Sequence, residues 1–323
     1  MPDGAEHLRR LGVALPPHRP FRGIRYFDGA LRIDGRFPGA PGLGLRRTRL
    51  HAALVEAAES ADVDCRWGVR AEGLQNAGTA RPTVLTSHGP MAARLVVGAD
   101  GLHSKTRTWA GLAKPFRGRR RFGVRRHYGL APWSDRVEVY WSDDAEAYVT
   151  PVGDDEIGVA ILWSGRKAGF DALLAGFPDL EDKLRGAAHR SRDRGAGPLR
   201  QRVRSPLANR VALVGDAAGY VDAITGEGLS VALHQSAALL DAFTEDALPT
   251  YPRRARRVAF LPEALTHLLL AIEARPALRR RVMRALARDP ALFEGFLAVH
   301  VRHCSPGSLL PDLPRMLWRL AAA

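Results

Sequence analysis

The stretch at residues 210–234, RVALVGDAAGYVDAITGEGLSVALH, constrains the fold more than any other part of this chain. Its apolar residues 211–214 predict a short buried strand, and the Gly215-Asp216 pair follows at the carboxyl end. The glycine-rich residues 225–228 then lead into an amphipathic pattern typical of a helix. Ligands of open α/β sheets bind at the carboxyl ends of strands, where a helix N-terminus offers free N–H groups. We therefore predict an α/β fold with a ligand site at this turn, in which the Asp accepts hydrogen bonds from sugar-type hydroxyls.

A second motif lies at residues 94–107, RLVVGADGLHSKTR. Its apolar residues predict another short strand, Asp100-Gly101 a tight turn, and Ser104 the start of a helix that carries Arg107. Arg107 has two interpretations: it steadies the Asp100 loop through a bidentate pair, or it is a solvated helix residue. The resemblance to a known family that this motif carries favours the first.

The two motifs together resemble those of a known family. Residues 210–234 resemble the GD motif, and residues 94–107 the DG motif, of FAD-dependent monooxygenases and reductases of the para-hydroxybenzoate hydroxylase type. The sequence Gly-Asp-Ala-Ala-Gly followed by Thr-Gly-Glu-Gly is most similar to the branch with geranylgeranyl reductases and flavin-dependent halogenases. Two motifs in the family's order are far more specific than either alone.

The resemblance implies roles for particular residues. Asp216 is expected to hold the ribityl chain of FAD, and the backbone of residues 226–229 to face the isoalloxazine ring. Asp100 is expected near the pyrophosphate and ribityl groups. Arg47 matches an Arg-x-x-Leu-x-x-x-Leu pattern that approaches FAD, although a surface arginine at a helix start is an equal alternative. The complete set of expected cofactor-binding residues is Arg47, Val69, Asp100, Gly101, Arg107, Gly215, Asp216, Gly226, Glu227, Gly228 and Leu229.

The function that the resemblance implies is FAD-dependent oxidoreduction of a small organic substrate, with NAD(P)H as the expected reductant. The cofactor carries the chemistry, which is either monooxygenation with O2 or reduction of an alkene. None of the lysines lies in a recognisable motif, which disfavours halogenation. The sequence does not identify a catalytic acid or base, because His127 and His234 are isolated histidines of the kind that are usually structural. The lysines are Lys105, Lys114, Lys167 and Lys183.

The predicted fold class is α/β: a Rossmann-like FAD/NAD(P)-binding domain interleaved with an antiparallel β-sheet substrate domain and a C-terminal helical region. Alternating runs at residues 120–164 predict the sheet, and a helix is predicted to cross it. Five aromatic residues on these strands are candidates for the pocket, although most are expected to be core: Tyr128, Tyr140, Trp141, Tyr148 and Trp163. The predicted domains are 38–115 and 201–250 for FAD binding, 1–37 and 116–200 for the β-rich domain, and 251–323 for the helical region.

Individual elements are predicted from local patterns. Helices are expected at 1–12, capped by Asp3, at 48–60, at 170–185, and from residue 240 onward. Prolines at 252, 262, 276 and 290 are expected to divide that last region. A hairpin or short meander is expected at 21–37, with turn signals at Asp28-Gly29 and Asp34-Gly35. The remaining expectations are a loop at 38–44 and strands at 65–69 and 82–90.

Members of this family begin with a strand, GxGxxG and helix that bind the ADP half of FAD, and this chain contains no GxGxxG. The first βαβ unit is therefore expected to be missing, through a misassigned start, a truncated gene or a fragmentary record. Such a chain would leave strand edges bare, so we expect poor solubility and weak FAD binding or none. The alternative function is a non-catalytic, truncated flavoprotein remnant or an interaction scaffold.

Composition and residue spacing argue against several other classes of function. The formal net charge is +14, but the basic residues are spread along the chain, so nucleic-acid binding is not expected. Association of the basic C-terminal region with membranes is an alternative that we favour less. Cys65 and Cys304 lie in no ligand spacing, so neither a disulfide framework nor a metal site is expected. The sequence has no apolar run or signal peptide that would direct it to a membrane, and a cytoplasmic location is expected. It does not predict the oligomeric state.

Overall fold

The computed structural model describes residues 1–165 and 168–322. The chain forms two compact units, each assembled from separate segments. Unit 1 comprises Met1–Ala57, Arg121–Ala196 and His267–Ala323, and unit 2 comprises Ala58–Arg120 and Gly197–Thr266. These bounds differ from the predicted segments, which began an FAD-binding segment at residue 38 and set the C-terminal helices apart.

Strands occur in both units. Those of unit 1 are β1 (Arg19–Phe21), β2 (Gly23–Asp28), β3 (Leu31–Arg36), β4 (Gly42–Gly44), β10 (Arg121–Gly129), β11 (Val137–Trp141), β12 (Ala145–Pro151), β13 (Ile157–Ser164), β14 (Ala188–His189) and β15 (Arg194–Ala196). Those of unit 2 are β5 (Ala71–Gln75), β6 (Thr83–Thr86), β7 (Gly89–Ala92), β8 (Val96–Gly98), β9 (Ala113–Lys114), β16 (Arg202–Val203), β17 (Leu207–Ala208) and β18 (Val211–Leu213).

In the part of the chain that the structure describes, one α-helix precedes the strands, four lie between them, and five follow the last strand. They are α1 (Pro2–Arg10), α2 (Arg47–Ser60), α3 (Lys105–Trp109), α4 (Phe170–Leu174), α5 (Pro178–Leu184), α6 (Gly228–Thr244), α7 (Tyr251–Glu273), α8 (Pro276–Arg288), α9 (Pro290–His300) and α10 (Leu313–Ala321). Short 3₁₀ turns occupy Gly215–Ala218, Leu248–Thr250 and Pro306–Asp312.

Unit 1 is built on an eight-stranded sheet in the order β14-β10-β13-β12-β11-β2-β3, with β15 also paired to β10. Its ladders are antiparallel except for β11 and β2, which run parallel. Successive side chains of a strand point to opposite faces, so each strand contributes to two layers. One face carries Val124, Ile161 and Trp163, which pack with Phe170 and Leu180 of α4 and α5 into the main core.

The second face of the sheet is covered at its β2–β3 end by α8 and α9. Tyr26 of β2 contacts Phe293 of α9, with ring centroids 5.5 Å apart. Gly35 of β3 permits this packing, because an added Cβ would lie 2.5 Å from Phe293 and 2.6 Å from Leu297. The glycine therefore serves close approach of a helix, whereas the sequence indicated a turn at Asp34-Gly35.

Unit 2 contains a smaller sheet in which β18 pairs parallel with β8 and antiparallel with β17. Leu239 and Ala242 of α6 pack against Ala212 and Val214 at β18. The fully buried Tyr251 donates from its hydroxyl to the Leu213 carbonyl at 2.6 Å. Strand β18 is thus buried, packs against helix α6 and pairs in parallel with β8. This is the α/β arrangement that residues 210–234 predict.

The predicted helix at 1–12, the helix at 48–60, the hairpin at 21–37 and the strands around 82–90 are confirmed. The Asp3 cap is wrong, because Met1 occupies the N-cap position and no side chain caps α1. The strand at 65–69 is also wrong, since Gly68 adopts φ 74° in a turn and the strand begins at Ala71.

Three further expectations need correction. Part of the predicted loop at 38–44 is strand β4, which pairs with β1. The helix expected at 170–185 is two helices, because the chain turns at residues 175–177 before Pro178 begins α5. Pro262 lies inside α7 and does not end it. Among the described residues, no helix is both long and apolar enough to cross a membrane.

Candidate functional site

The two glycine–aspartate turns follow neighbouring parallel strands of unit 2. Strand β8 pairs with β18 in the register Val96 with Val211 and Gly98 with Leu213. The Val214 amide donates to the Gly98 carbonyl at 3.1 Å and extends the ladder to the point where both strands end. Because the carboxyl ends of parallel strands meet at one sheet edge, the turns at Asp100 and at Asp216 lie side by side.

Gly215 makes the turn after β18 possible. Its φ is 58°, in the left-handed region that favours glycine, and an added Cβ would lie 3.1 Å from Ala232 of α6. Its amide donates to Oε1 of the buried Gln235 at 2.8 Å. Gln235 was not predicted, although a lone amide within the apolar pattern of α6 was a signal for it. The turn is thus fixed to the helix that follows.

The Asp216 carboxylate lies at the start of α6. A Cβ built on Gly228, the first residue of the helix, would be 3.7 Å from Oδ1 of Asp216. Gly226 has φ 67° and open space where a side chain would stand. The first N–H groups of a helix have no intrahelical partner, so this corner presents N–H donors, a carboxylate acceptor and little steric bulk. These groups fit a ligand that has both hydroxyls and electron-rich acceptor atoms, as FAD has.

The Asp100 carboxylate organises its own loop. It accepts hydrogen bonds from the Ser104 hydroxyl at 2.5 Å and from the Thr106 amide and hydroxyl at 2.9 and 3.1 Å. Partial burial opposes its ionisation, but these hydrogen bonds outweigh that effect and lower the pKa of Asp100. The side chain therefore shapes the turn, and Gly101, with φ 76° and space beside it, supplies the accessible backbone.

Arg107 joins the two turns. Its guanidinium is buried and donates to the carbonyls of Leu102, Asp216 and Ala217 and to Oε1 of Gln201, at 2.9 to 3.3 Å. Burial lowers its pKa and the nearby Asp100 opposes that effect. The solvated interpretation is therefore wrong. Arg107 does steady the Asp100 loop, but through carbonyl oxygens rather than the bidentate carboxylate pair that we predicted.

The other expected residues are distributed between the units. Glu227 is buried at the N-cap position of α6, and Leu229 is 38% exposed in its first turn. Val69 lies in unit 2, in the irregular segment before β5. Arg47 begins α2 and is exposed, and it belongs to unit 1. Its role in cofactor binding therefore stays a prediction.

Unit 1 has a polar region of its own on the second face of the sheet. Arg125 and His127 alternate with the core residue Val124, so they point away from the main core. The register places Arg125 opposite Ala160, and His127 opposite Gly158. On the other side of β13, Tyr148 is opposite Ala160 and Thr150 is opposite Gly158. Ala160 and Gly158 on β13 thus separate the basic side chains of β10 from the tyrosine and threonine of β12.

His127 is held in this region as a neutral ring. Its Nδ1 lies 3.3 Å from the Arg125 guanidinium and 3.1 Å from the Ser191 hydroxyl, while its amide donates to the same hydroxyl. Arg125 can only donate, so Nδ1 is the acceptor and Nε2 carries the proton. Burial, Arg46 and Arg125 lower the pKa of His127 to about 4.

The aromatic candidates divide between the two faces. Tyr128, Tyr140 and Trp163 belong to the main core, and Trp141 is buried beneath the Arg279 guanidinium. Tyr148 alone of the five is partly exposed. Of the lysines, Lys183 lies over the rings of Phe27, Trp133 and Tyr140, while Lys167 lies outside the described residues.

Known proteins match part of this sequence and share its fold. Residues 28–169 match the family model described as the FAD binding domain. No curated protein matches the chain. The fold is similar to that of a flavoprotein/dehydrogenase from Cytophaga hutchinsonii, with a TM-score of 0.76 and 15% identity over 98% of this chain and 85% of that one.

Two other solved structures have the same fold. PqsL, a probable FAD-dependent monooxygenase from Pseudomonas aeruginosa, is 21% identical over 86% of each chain, with a TM-score of 0.71, and has also been solved with 2-aminobenzoylacetate. CmlS, a flavin-dependent halogenase, is 17% identical with a TM-score of 0.71, and the match covers 92% of this chain but only 57% of CmlS. The chain thus matches the FAD binding domain family over residues 28–169, and it shares its fold with a probable FAD-dependent monooxygenase and a flavin-dependent halogenase.

Proposed function

We propose that the chain binds FAD at the adjoining turns of unit 2 and acts as an oxidoreductase on a small organic substrate. The observation that carries this proposal is the juxtaposition of the Asp216 carboxylate with the N-terminus of α6, at the edge where β8 and β18 both end. That edge is where ligands bind in α/β sheets, and the motifs there are those of the family. The small-molecule complex of PqsL supports a small organic substrate.

The residues of this chain have separate tasks in the proposed site. Asp216 accepts hydrogen bonds from ribityl hydroxyls, and the N–H groups at Gly228 and Leu229 meet the electron-rich edge of the flavin ring. The Asp100–Gly101 turn approaches the phosphate and ribityl groups with its backbone. Arg107 holds both turns at a fixed separation without facing the ligand. The full proposed set also contains Arg47, Val69, Gly215, Gly226 and Glu227.

Bound FAD would supply two-electron chemistry, either towards O2 and a substrate or towards a carbon–carbon double bond. We propose NAD(P)H as the electron donor and favour monooxygenation or reduction over halogenation. Among the described lysines, Lys105 and Lys114 are exposed, and Lys183 donates to the Tyr140 hydroxyl at 2.9 Å. None of these lysines lies in a recognisable motif at the proposed site in unit 2.

An FAD titration of the Asp216→Ala variant tests the proposal. A hydrogen bond to a charged acceptor contributes about 1.5–3 kcal/mol, so the dissociation constant should rise about tenfold or more. The control is Asp241→Ala, which removes an exposed carboxylate near the C-terminal end of the same helix. Equal FAD affinity of the two variants, with intact circular dichroism spectra, would contradict the site.

The oxidoreductase activity needs a second measurement. NADH or NADPH is added anaerobically to the FAD-loaded protein, and loss of the visible flavin absorbance reports reduction. Bleaching by either nucleotide supports the proposed donor. Tight FAD binding without reduction by either one would favour the alternative of a non-catalytic flavoprotein.

A further inference from the structure

Helix α10 is held on unit 1 by its polar side. Arg315 and Arg319, one turn apart, both pair with the buried carboxylate of Asp289, at 2.5 and 3.5 Å. At the other end of the helix, Arg281 and Arg288 of α8 donate to its last backbone carbonyls. Cations stabilise the C-terminus of a helix, because the free carbonyls there carry partial negative charge. Ion pairs and hydrogen bonds therefore fix the orientation of α10.

This orientation leaves the apolar side of α10 facing outward. Leu313 and Leu317 lie one turn apart, and Trp318 follows directly. Leu310 extends the same apolar surface into the preceding 3₁₀ turn. Leu317 is 63% exposed, Trp318 61% and Leu310 64%. The usual arrangement is the reverse, since an amphipathic helix normally buries its apolar stripe against the core. These four residues are named the α10 face, and an exposed apolar patch of this kind marks an interaction site.

Positive charge adjoins the α10 face. Four exposed arginines lie along one side of α8, at spacings of three and four residues: Arg280, Arg281, Arg284 and Arg288. Two of them are the residues that reach the end of α10, so the basic side of α8 lies next to this helix. Residues 275–323 contain nine arginines and three acidic residues, of which Asp289 is buried. The charge of this surface is therefore complementary to an anionic partner.

We propose that the α10 face is a peripheral membrane-binding surface. Its four apolar side chains enter the boundary between headgroups and acyl chains, and the exposed arginines of α8 contact anionic lipid headgroups. Leucine and tryptophan on one side of a helix, with arginine beside them, are typical of helices that lie in the plane of a bilayer surface. The nine residues of α10 are too few to cross the hydrocarbon core, so the contact is with one leaflet.

A second copy of this chain is a less suitable occupant of the same surface. In a twofold dimer the same patch on both copies meets itself. That contact would bring the basic sides of two α8 helices close together, and like charges across an interface repel each other. An anionic lipid surface instead attracts every one of these arginines.

The sequence alone disfavoured membrane association of the C-terminal region. The structure changes this for one helix, because α8 and α9 contact the sheet of unit 1, whereas α10 exposes its apolar side. The inference does not depend on FAD binding, so it can hold or fail independently of the proposed oxidoreductase function.

Sedimentation of the full chain with lipid vesicles tests the proposal. We expect binding to vesicles of equal parts phosphatidylcholine and phosphatidylserine, and binding about tenfold weaker or absent with phosphatidylcholine alone. Leu317→Ser should weaken binding to the anionic vesicles by about tenfold, because it removes one of the inserted side chains. The control is Leu240→Ser, which removes a leucine of similar exposure, 61%, from α6 and should bind like the parent chain.

Tryptophan fluorescence tests which surface enters the lipid. Trp318 and Trp67 are both 61% exposed and so form a matched pair. An indole that moves from water into lipid emits at shorter wavelength, so anionic vesicles should shift the emission of the parent chain to the blue. The shift should be lost in Trp318→Phe and kept in Trp67→Phe.

Several results would overturn the inference. One is the absence of binding to anionic vesicles at low salt, and another is equal binding by the Leu317→Ser and Leu240→Ser variants. Binding that salt abolishes, with the same emission shift in Trp318→Phe as in the parent, would be general attraction of a basic protein to an anionic surface. Dimerisation in sedimentation velocity that Leu317→Ser abolishes, without vesicle binding, would assign the α10 face to a second copy.

Discussion

Arg107 shows how a single buried side chain can connect two turns of the proposed FAD site. Its four carbonyl-type acceptors come from both turns and from Gln201. Each of these acceptors loses hydrogen bonds to water on folding, and the Arg107 guanidinium supplies the N–H donors that replace them. The separation of the turns at Asp100 and Asp216 therefore depends on this residue.

We expect Arg107→Met to lower the free energy of unfolding by about 2–4 kcal/mol, because buried acceptors would lose their donor. Urea denaturation measures the change. Lys105→Met, on the exposed side of the same short helix, should change the stability by less than about 0.5 kcal/mol. A matching loss in both variants would show that α3, rather than the guanidinium, is responsible.

The low pKa of His127 predicts that the stability of the folded protein depends on pH. Its pKa is about 4 in the folded protein, below the ordinary value for histidine of about 6.5. The unfolded chain therefore binds more protons between these values, so the native state loses stability as the pH falls from about 6.5 to 4. The loss from this group is on the order of 3 kcal/mol when complete.

The slope of stability against pH in that window should decrease in His127→Asn, whose amide can replace Nδ1 as acceptor. His88→Asn, in an exposed turn, serves as the control and should keep the parent slope. A His127→Asn variant with the parent slope would show that another group is titrating.

At the scale of elements, the position of α9 on the unit 1 sheet depends on how closely the helix can approach strand β3. Gly35 is the example, because Phe293 and Leu297 of α9 occupy the space where any other side chain would begin. The helix covers this end of the second face, while the face around Arg125 stays partly exposed. The position of one glycine thus contributes to the division between a packed and an accessible surface.

We expect Gly35→Ala to destabilise the protein by about 1–3 kcal/mol, since the added methyl group would force α9 away from β3. Thermal unfolding measures this. Gly153→Ala, in the turn between β12 and β13, meets only ordinary contacts at 3.6 Å or more and should be nearly neutral. An unchanged melting temperature for Gly35→Ala would mean that α9 adapts at little cost.

The elements also show what the sequence could predict. Residues 210–234 predicted the strand, the turn and helix α6 because apolar periodicity and glycine turns are local signals. Gly35 was misjudged because its reason is a contact with α9, which lies more than 250 residues later. Arg107 was placed correctly, but its partners were not, because carbonyl oxygens carry no sequence signature. The polar region around Arg125 could not be predicted, because it depends on the cross-strand register, which only the structure supplies.

At the scale of the whole molecule, the family match and the fold agree, and the proposed FAD site lies mainly in unit 2. Ligand that binds only the native state stabilises it by mass action. Protection from hydrogen exchange should therefore rise in the segments that hold the ligand.

We expect FAD at one hundred times its dissociation constant to add about 2.7 kcal/mol to the stability of the unit that binds it. Exchange should slow at residues 98–107 and 213–230, with little change in the β2–β3 hairpin at 23–36. Hydrogen exchange with mass spectrometry resolves these segments. Protection confined to the hairpin would place the cofactor elsewhere.

The parallel pairing of β2 with β11 has a consequence for synthesis. Ile24 pairs with Val137, so at about 5–20 residues per second the ribosome delivers the second strand roughly 5–20 s after the first. Helices α8 and α9, which cover the same hairpin, emerge later still. During that interval the nascent hairpin presents an unpaired strand edge, which is a binding surface for chaperones and a starting point for aggregation. Translation speed between residues 28 and 137 is therefore expected to influence how much of the protein reaches its native state.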